Sequence, residues 1–181
     1  MHGDTYLRQA YDAIFRGDFE SAIHCFQQAI EQEPDNASFY YKASITCARS
    51  GKLTLAAAYA KRAVELDPEN LDYTLNSQSI EAKRLIAEAR TLLEGEIPDP
   101  DQAKKLLSDA DALDPLAVEA KLLLGLACRM QEDYRGAVAY FQDALRLDPQ
   151  LAEAQRLLEQ TRAEWRSWVR SQLRPTTIRN R

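Results

Sequence analysis

Few side chains in this 181-residue chain are of the types that do chemistry, and their spacing argues against their doing it together. There are two histidines, His2 and His24, and three cysteines, Cys25, Cys47 and Cys128. His24 and Cys25 are adjacent in a helical pattern. Neighbours on a helix point about 100° apart, so the two do not face each other as a nucleophile and its base must. The cysteines are odd in number and widely spaced, which fits neither a disulfide framework nor a zinc site. They are expected to be buried, reduced packing residues. The 28 Asp and Glu residues fall on helix positions expected to face water or near helix starts, the pattern of a solvated surface rather than of paired acid–base carboxylates. The sequence has no Gly-rich phosphate loop and no nucleophile elbow. It reads as a non-enzymatic protein, with no cofactor and no metal expected.

The charges that recognise partners are unevenly placed. Residues 160–181 carry Arg162, Arg166, Arg170, Arg174, Arg179 and Arg181 against Glu164 alone, a formal +5; the whole chain is −5, so the remainder is −10. An acidic body with a basic end suggests an interaction arm. Arg162, Arg166, Arg170 and Arg174 recur every fourth residue beside Trp165, Trp168 and Val169. Such a basic amphipathic segment suits contact between copies of the chain, an anionic membrane surface or an acidic protein. A nucleic acid fits less well, because the −10 body repels a phosphate backbone.

The elements that position these residues are helices. Ala, Leu, Glu, Gln and Arg, strong helix formers, dominate a composition that is 45% hydrophobic and 28% charged. A periodic dipeptide punctuates them: Glu33-Pro34, Asp67-Pro68, Asp114-Pro115 and Asp148-Pro149, with proline spacings of 34, 47 and 34. Proline ends a helix because it lacks an N–H and restricts the residue before it. Twelve residues before each proline stand Ala22, Ala56, Ala103 and Ala137; eight before, Phe26, Ala60, Leu107 and Phe141; five before, Ala29, Ala63, Ala110 and Ala144. The alanines mark where two helices cross closely, and the larger residues fill the space toward the next unit. Ala10, Ser44 and Gly125 lie 24 residues before their prolines, another small position.

A 34-residue period with this pattern resembles the tetratricopeptide repeat (TPR), a helix-turn-helix unit. The resemblance covers roughly residues 3–149 and implies an all-α, TPR-type helix-turn-helix solenoid with a long C-terminal helix. The expected organisation is TPR units at 3–36 and 37–70, a divergent unit at 71–117, another unit at 118–150, a capping and projecting helix at 151–173 and a basic tail at 174–181. The early aromatic of the first helix is Tyr6 and Tyr40 in two units but Lys121 in the last. The first helix of the divergent unit has no clean match. Residues 71–94 read as one longer helix, and Asp99 is expected to cap the next, with Pro100 at its first position. The 13 extra residues (47 minus 34) are expected to protrude.

The resemblance implies binding of another protein along the inner wall formed by first helices. Packing accounts for Tyr6, Ala10 and Ala13 but leaves a second apolar row, Leu7, Tyr11 and Ile14, with Tyr41 and Ile45 in the next unit and Leu122 and Leu126 in the last. Arg8, Lys42, Arg49 and Arg129 edge it. An amphipathic helix or an extended peptide with acidic groups suits such a groove. Family members that grip chaperone tails use a Lys and Asn clamp. Here Leu7, Tyr11, Lys42, Glu119 and Leu123 stand at the matching places, so that activity is not expected. No apolar run approaches the ~20 residues of a membrane helix. The N-terminus has neither a basic start nor an apolar secretory core, so a cytoplasmic location is expected.

Overall fold

The computed structural model describes residues 3–173; His2 and the basic tail at 174–181 lie outside the described residues. Every regular element among the described residues is an α-helix: α1 (Gly3–Phe15), α2 (Phe19–Gln32), α3 (Ala37–Arg49), α4 (Leu53–Leu66), α5 (Leu71–Glu94), α6 (Pro100–Leu113), α7 (Val118–Met130), α8 (Tyr134–Leu147) and α9 (Ala152–Gln172). The chain forms two compact units, residues 1–85 and 86–181, and the boundary falls inside α5.

Second helices start where a side-chain cap and a tight turn permit. Asp18, Asp99 and Asp133 accept hydrogen bonds from the backbone N–H of Ser21, Gln102 and Gly136 at 3.0, 2.9 and 2.9 Å, satisfying donors that the first turn of a helix leaves orphaned. Three of the turns before them contain a residue in the left-handed region: Gly17 (φ 76°), Gly51 (φ 79°) and Glu132 (φ 59°). Each stands 17 residues before its proline. At the corresponding place in the third turn stands Pro98, whose ring fixes φ near −65°. The short turn is closed to it, and the link between α5 and α6 is five residues (95–99) rather than three.

That substitution explains the missing match. Ala10, Ser44 and Gly125 lie five residues before the ends of α1, α3 and α7, and Ala89, which is fully buried, lies five before the end of α5. The longer link slides the small residue two positions out of frame. Helix α5 has 24 residues against 13 for the other three first helices, so eleven extra helical residues and two extra loop residues make up the thirteen.

These residues do not protrude as expected. In the first unit, Tyr73 stacks against Tyr41 with ring centroids 4.8 Å apart. Asn76 donates to the Ser44 hydroxyl at 2.9 Å, and Ile80 joins the buried cluster of Ile23, Cys47, Ala56 and Ala60. The start of α5 thus covers the first unit, while farther along it Ile86, Ala89 and Leu93 are buried and Arg90 reaches Glu119 of α7 at 2.7 Å in the second.

The twelve residues that recur at fixed distances before the prolines are all fully buried. In the second unit, Gly125 lies under Phe141, and a Cβ there would come within 2.5 Å of the ring. The place of the early aromatic is taken by Lys121, which reaches Asp111 of α6 at 2.5 Å. Helix α9 closes this unit with Ala154, Leu157, Leu158 and Thr161, the first three of which join Phe141 and Ala144 in one core. An end of a repeat array exposes apolar surface unless a helix caps it.

Candidate functional site

Six of the residues expected to line a groove converge in the first unit. Tyr11 and Ile14 of α1 and Tyr41, Lys42, Ile45 and Arg49 of α3 line a cleft of about 320 Å³, with Phe19 and Phe26 of α2 and Thr46. Both helices present these side chains on one stripe because positions three and four apart share a helical face. Phe26 is fully buried and forms the floor, and the Tyr11 ring meets it edge-on at 6.5 Å and 87°. Tyr11 itself is 48% exposed. The Lys42 ammonium lies 5.9 Å from the centre of the Tyr11 ring, within cation–π range. Neither Lys42 nor Arg49 makes an ion pair with a described residue. The result is an apolar, aromatic-walled pocket with two cations at its rim.

The remaining groove residues are placed otherwise. Leu7 packs beside the buried cluster of Ala10, Phe26 and Ala43, so it supports the floor rather than lining the cleft. Arg8 is exposed on α1, outside the lining. Leu122 is 8% exposed and belongs to the core under α9; it is a packing residue and not a groove residue, because α9 covers that side of α7 and α8. Leu126 and Arg129 line a separate cleft of about 380 Å³ in the second unit, with Leu93, Leu123, Met130 and Glu164. There Arg129 is held by Glu164 through two hydrogen bonds, Nε to Oε2 at 2.8 Å and an Nη to Oε1 at 2.5 Å. That contact raises the guanidinium's pKa and leaves Arg129 engaged rather than available at a rim.

Phe19, Phe26 and Thr46 complete the first cleft without having been assigned to it. Phe26 falls on a position that the repeat pattern gives to core packing, and it does both. A second recess of about 220 Å³ adjoins, lined by Ile45, Arg49, Asn76, Ser79, Ile80 and Lys83 among others. A sequence signal for it exists. Lys42, Ile45 and Arg49 stand 8, 11 and 15 residues past Pro34, and Asn76, Ser79 and Lys83 stand the same distances past Pro68.

At the C-terminal helix, Arg162, Arg166 and Arg170 are exposed. Trp165 is half-buried, and Trp168 lies 6.2 Å from the ring of Tyr134 on α8. The helix therefore stays in contact with its own unit as far as Trp168, where it was expected to project. Trp168 (39%), Val169 (37%) and Leu173 (75%) remain partly uncovered.

The cysteines are free. Burial pushes the Cys47 thiol up from its ordinary 9.0 to about 11 and raises Cys128 as well, so these two are poor nucleophiles. Cys25 is half-buried, where full burial was expected. Among the described residues no group of three His, Cys, Asp or Glu side chains is placed to hold a metal ion. No helix among them is long and apolar enough to cross a membrane.

Helix pairs closed by recurring prolines, small residues at each crossing and a capping helix at the end define the all-α architecture of repeat proteins that hold other proteins. The sequence profile of the tetratricopeptide repeat matches residues 7–70 and 86–152, leaving unmatched the stretch in which α5 is overlong. The chain belongs to the tetratricopeptide-repeat family. It is 31% identical over 162 residues to the TPR repeat-containing protein YpiA of Bacillus subtilis (strain 168), across 77% of this chain and 38% of that protein; the chain thus spans well under half the length of this curated relative. Similar solved structures include MamA protein (TM-score 0.56, 19% identity, 93% of this chain and 87% of that one) and MamA from Desulfovibrio magneticus RS-1 (0.54, 18%, 96% and 98%). A tetratricopeptide repeat protein from Parabacteroides merdae ATCC 43184 is also similar (0.54, 20%, 93% and 63%). At these identities the solved structures establish the fold. Members of the family generally mediate protein–protein interaction and assembly, and the fold is typically that of a non-enzymatic module.

Proposed function

We propose that this chain is an adaptor or assembly scaffold that holds a peptide or amphipathic helix of another protein in the cleft between α1 and α3. The observation that carries the reading is the exposed Tyr11 standing over the buried Phe26, with Tyr41 opposite and Lys42 and Arg49 unpaired at the rim. An apolar side chain that enters such a pocket leaves water and finds a preformed wall, a gain of about 1.5–3 kcal/mol for a Leu- or Phe-sized group. The test is selection of a random dodecapeptide library on the full chain, followed by titration of the best synthetic peptide. Tyr11→Ser should weaken that peptide by about tenfold with unchanged helicity by circular dichroism. Undiminished binding would overturn the reading. Tyr41→Ser is a poorer probe, because Tyr41 also stacks on Tyr73.

A second reading rests on α9, whose exposed arginines flank the partly uncovered Trp168 and Val169. The segment would serve association between copies or attachment to an anionic surface. Sedimentation that shows a monomer at all concentrations, together with no binding to vesicles rich in phosphatidylserine, would dismiss it.

A further inference from the structure

We propose that the cleft is a two-part receptor for an acidic segment, in which an apolar side chain fills the α1–α3 pocket and neighbouring Asp or Glu carboxylates lie in the recess between α3 and the start of α5. This rests on the peptide-binding reading above and adds to it the chemistry of the partner. The two recesses share Ile45 and Arg49, so they are continuous. None of the residues lining either is acidic, although residues 1–85 carry twelve acidic side chains against nine basic ones. The unit is net negative and its cleft is positive.

The cations there are also uncommitted. Elsewhere in the unit Lys52 pairs with Glu20 at 2.5 Å and Arg62 with Glu65 at 3.2 Å, whereas Arg49 and Lys83 are exposed and make no ion pair with a described residue. Arg49 offers a planar fork of donors that matches a carboxylate, and Lys83 a mobile point charge. Ser79, half-buried between them in the lining, has a hydroxyl without a partner among the described residues. Asn76 is fixed by its bond to Ser44, whose own hydroxyl donates to the Tyr41 carbonyl at 2.6 Å. The start of α5 thus supplies a prearranged polar wall, which gives that stretch of the helix a use beyond covering the first unit.

The experiment extends the library selection to the full chain and to the Arg49→Gln, Lys83→Gln double variant, both substitutions being of exposed residues. Peptides selected on the native chain should combine an apolar residue with nearby Asp or Glu. Those selected on the double variant should keep the apolar residue and lose the acidic preference. The best acidic peptide should bind the variant about tenfold more weakly, and its Asn and Gln analogue should bind both proteins alike. An acidic preference that survives in the variant overturns the proposal while sparing the pocket. Selection insensitive to Tyr11→Ser overturns the pocket reading itself. Displacement of the peptide by single-stranded DNA more readily than by its acidic analogues would reassign the recess to phosphate.

Discussion

Single side chains set how closely these helices approach. Where Ala10 and Ser44 accept a Cβ, Gly125 has none to spare, because its repeat places the Phe141 ring 2.5 Å from where that carbon would stand. Gly125→Ala should therefore cost about 1–3 kcal/mol by overpacking, despite the better helix propensity of alanine. A thermal melt reads the loss, and Phe141→Leu in the same chain should restore part of it if the clash is the cause. Cys47 makes a pH prediction. Its folded pKa of about 11 lies above the ordinary 9.0 through burial, with Lys52 pulling it down less. The folded state thus holds a proton that the unfolded chain releases, so the contribution is intact below pH 9 and is lost as pH rises from 9 to 11. Urea midpoints should fall more steeply in that window for the native chain than for Cys47→Ala; parallel slopes would show that the thiol opens to water before it titrates. The buried positions were legible because repetition exposes them: four alanines in one frame say what one cannot. The cleft was legible only in part. Tyr11, Lys42 and Arg49 differ from their counterparts in the other repeats, and a function of three-dimensional convergence, such as Phe26 serving as both core and floor, leaves no separate mark in one dimension.

Among the elements, the turns decide where helices begin and end. The left-handed residue before α2 and α4 is glycine, which adopts it freely, but before α8 it is Glu132 at φ 59°. A β-carbon in that region costs about 1–2 kcal/mol. Glu132→Gly should accordingly raise the stability of the second unit by about 1 kcal/mol, seen as a higher urea midpoint of tryptophan emission, since both tryptophans lie on α9. No gain would mean that the Glu132 side chain contributes contacts equal to the strain. The same turn position shows why α5 resisted reading. Pro98 cannot be left-handed, the link lengthens by two residues, and the small residue of that helix, Ala89, falls outside the frame that the prolines define. A rule based on fixed spacing fails where one residue forbids the turn that maintains the spacing. The extent of α5 and the Asp99 cap survived, because they depend on local signals, a capping side chain and a proline at the first helical position.

For the molecule as a whole, repetition builds equivalent recesses, and what distinguishes them is which cations have already found a partner. In the first unit Arg49 and Lys42 remain unpaired. In the second, α9 delivers Glu164 to Arg129 across the mouth of the corresponding recess. An internal carboxylate held on the same chain has a high effective concentration, so an external one competes poorly with it. The consequence is one of valency. As long as the Arg129–Glu164 pair holds, the chain takes up a single acidic segment and cannot by itself bridge two copies of the same partner. Glu164→Ala should release Arg129 beside Leu123, Leu126 and Met130 and create a second, weaker acceptor. Calorimetric titration with the selected acidic peptide would then count two equivalents per chain in place of one. A count that stays at one would assign the pair to holding α9 in place, and a chain that links partners would have to do so through a different face.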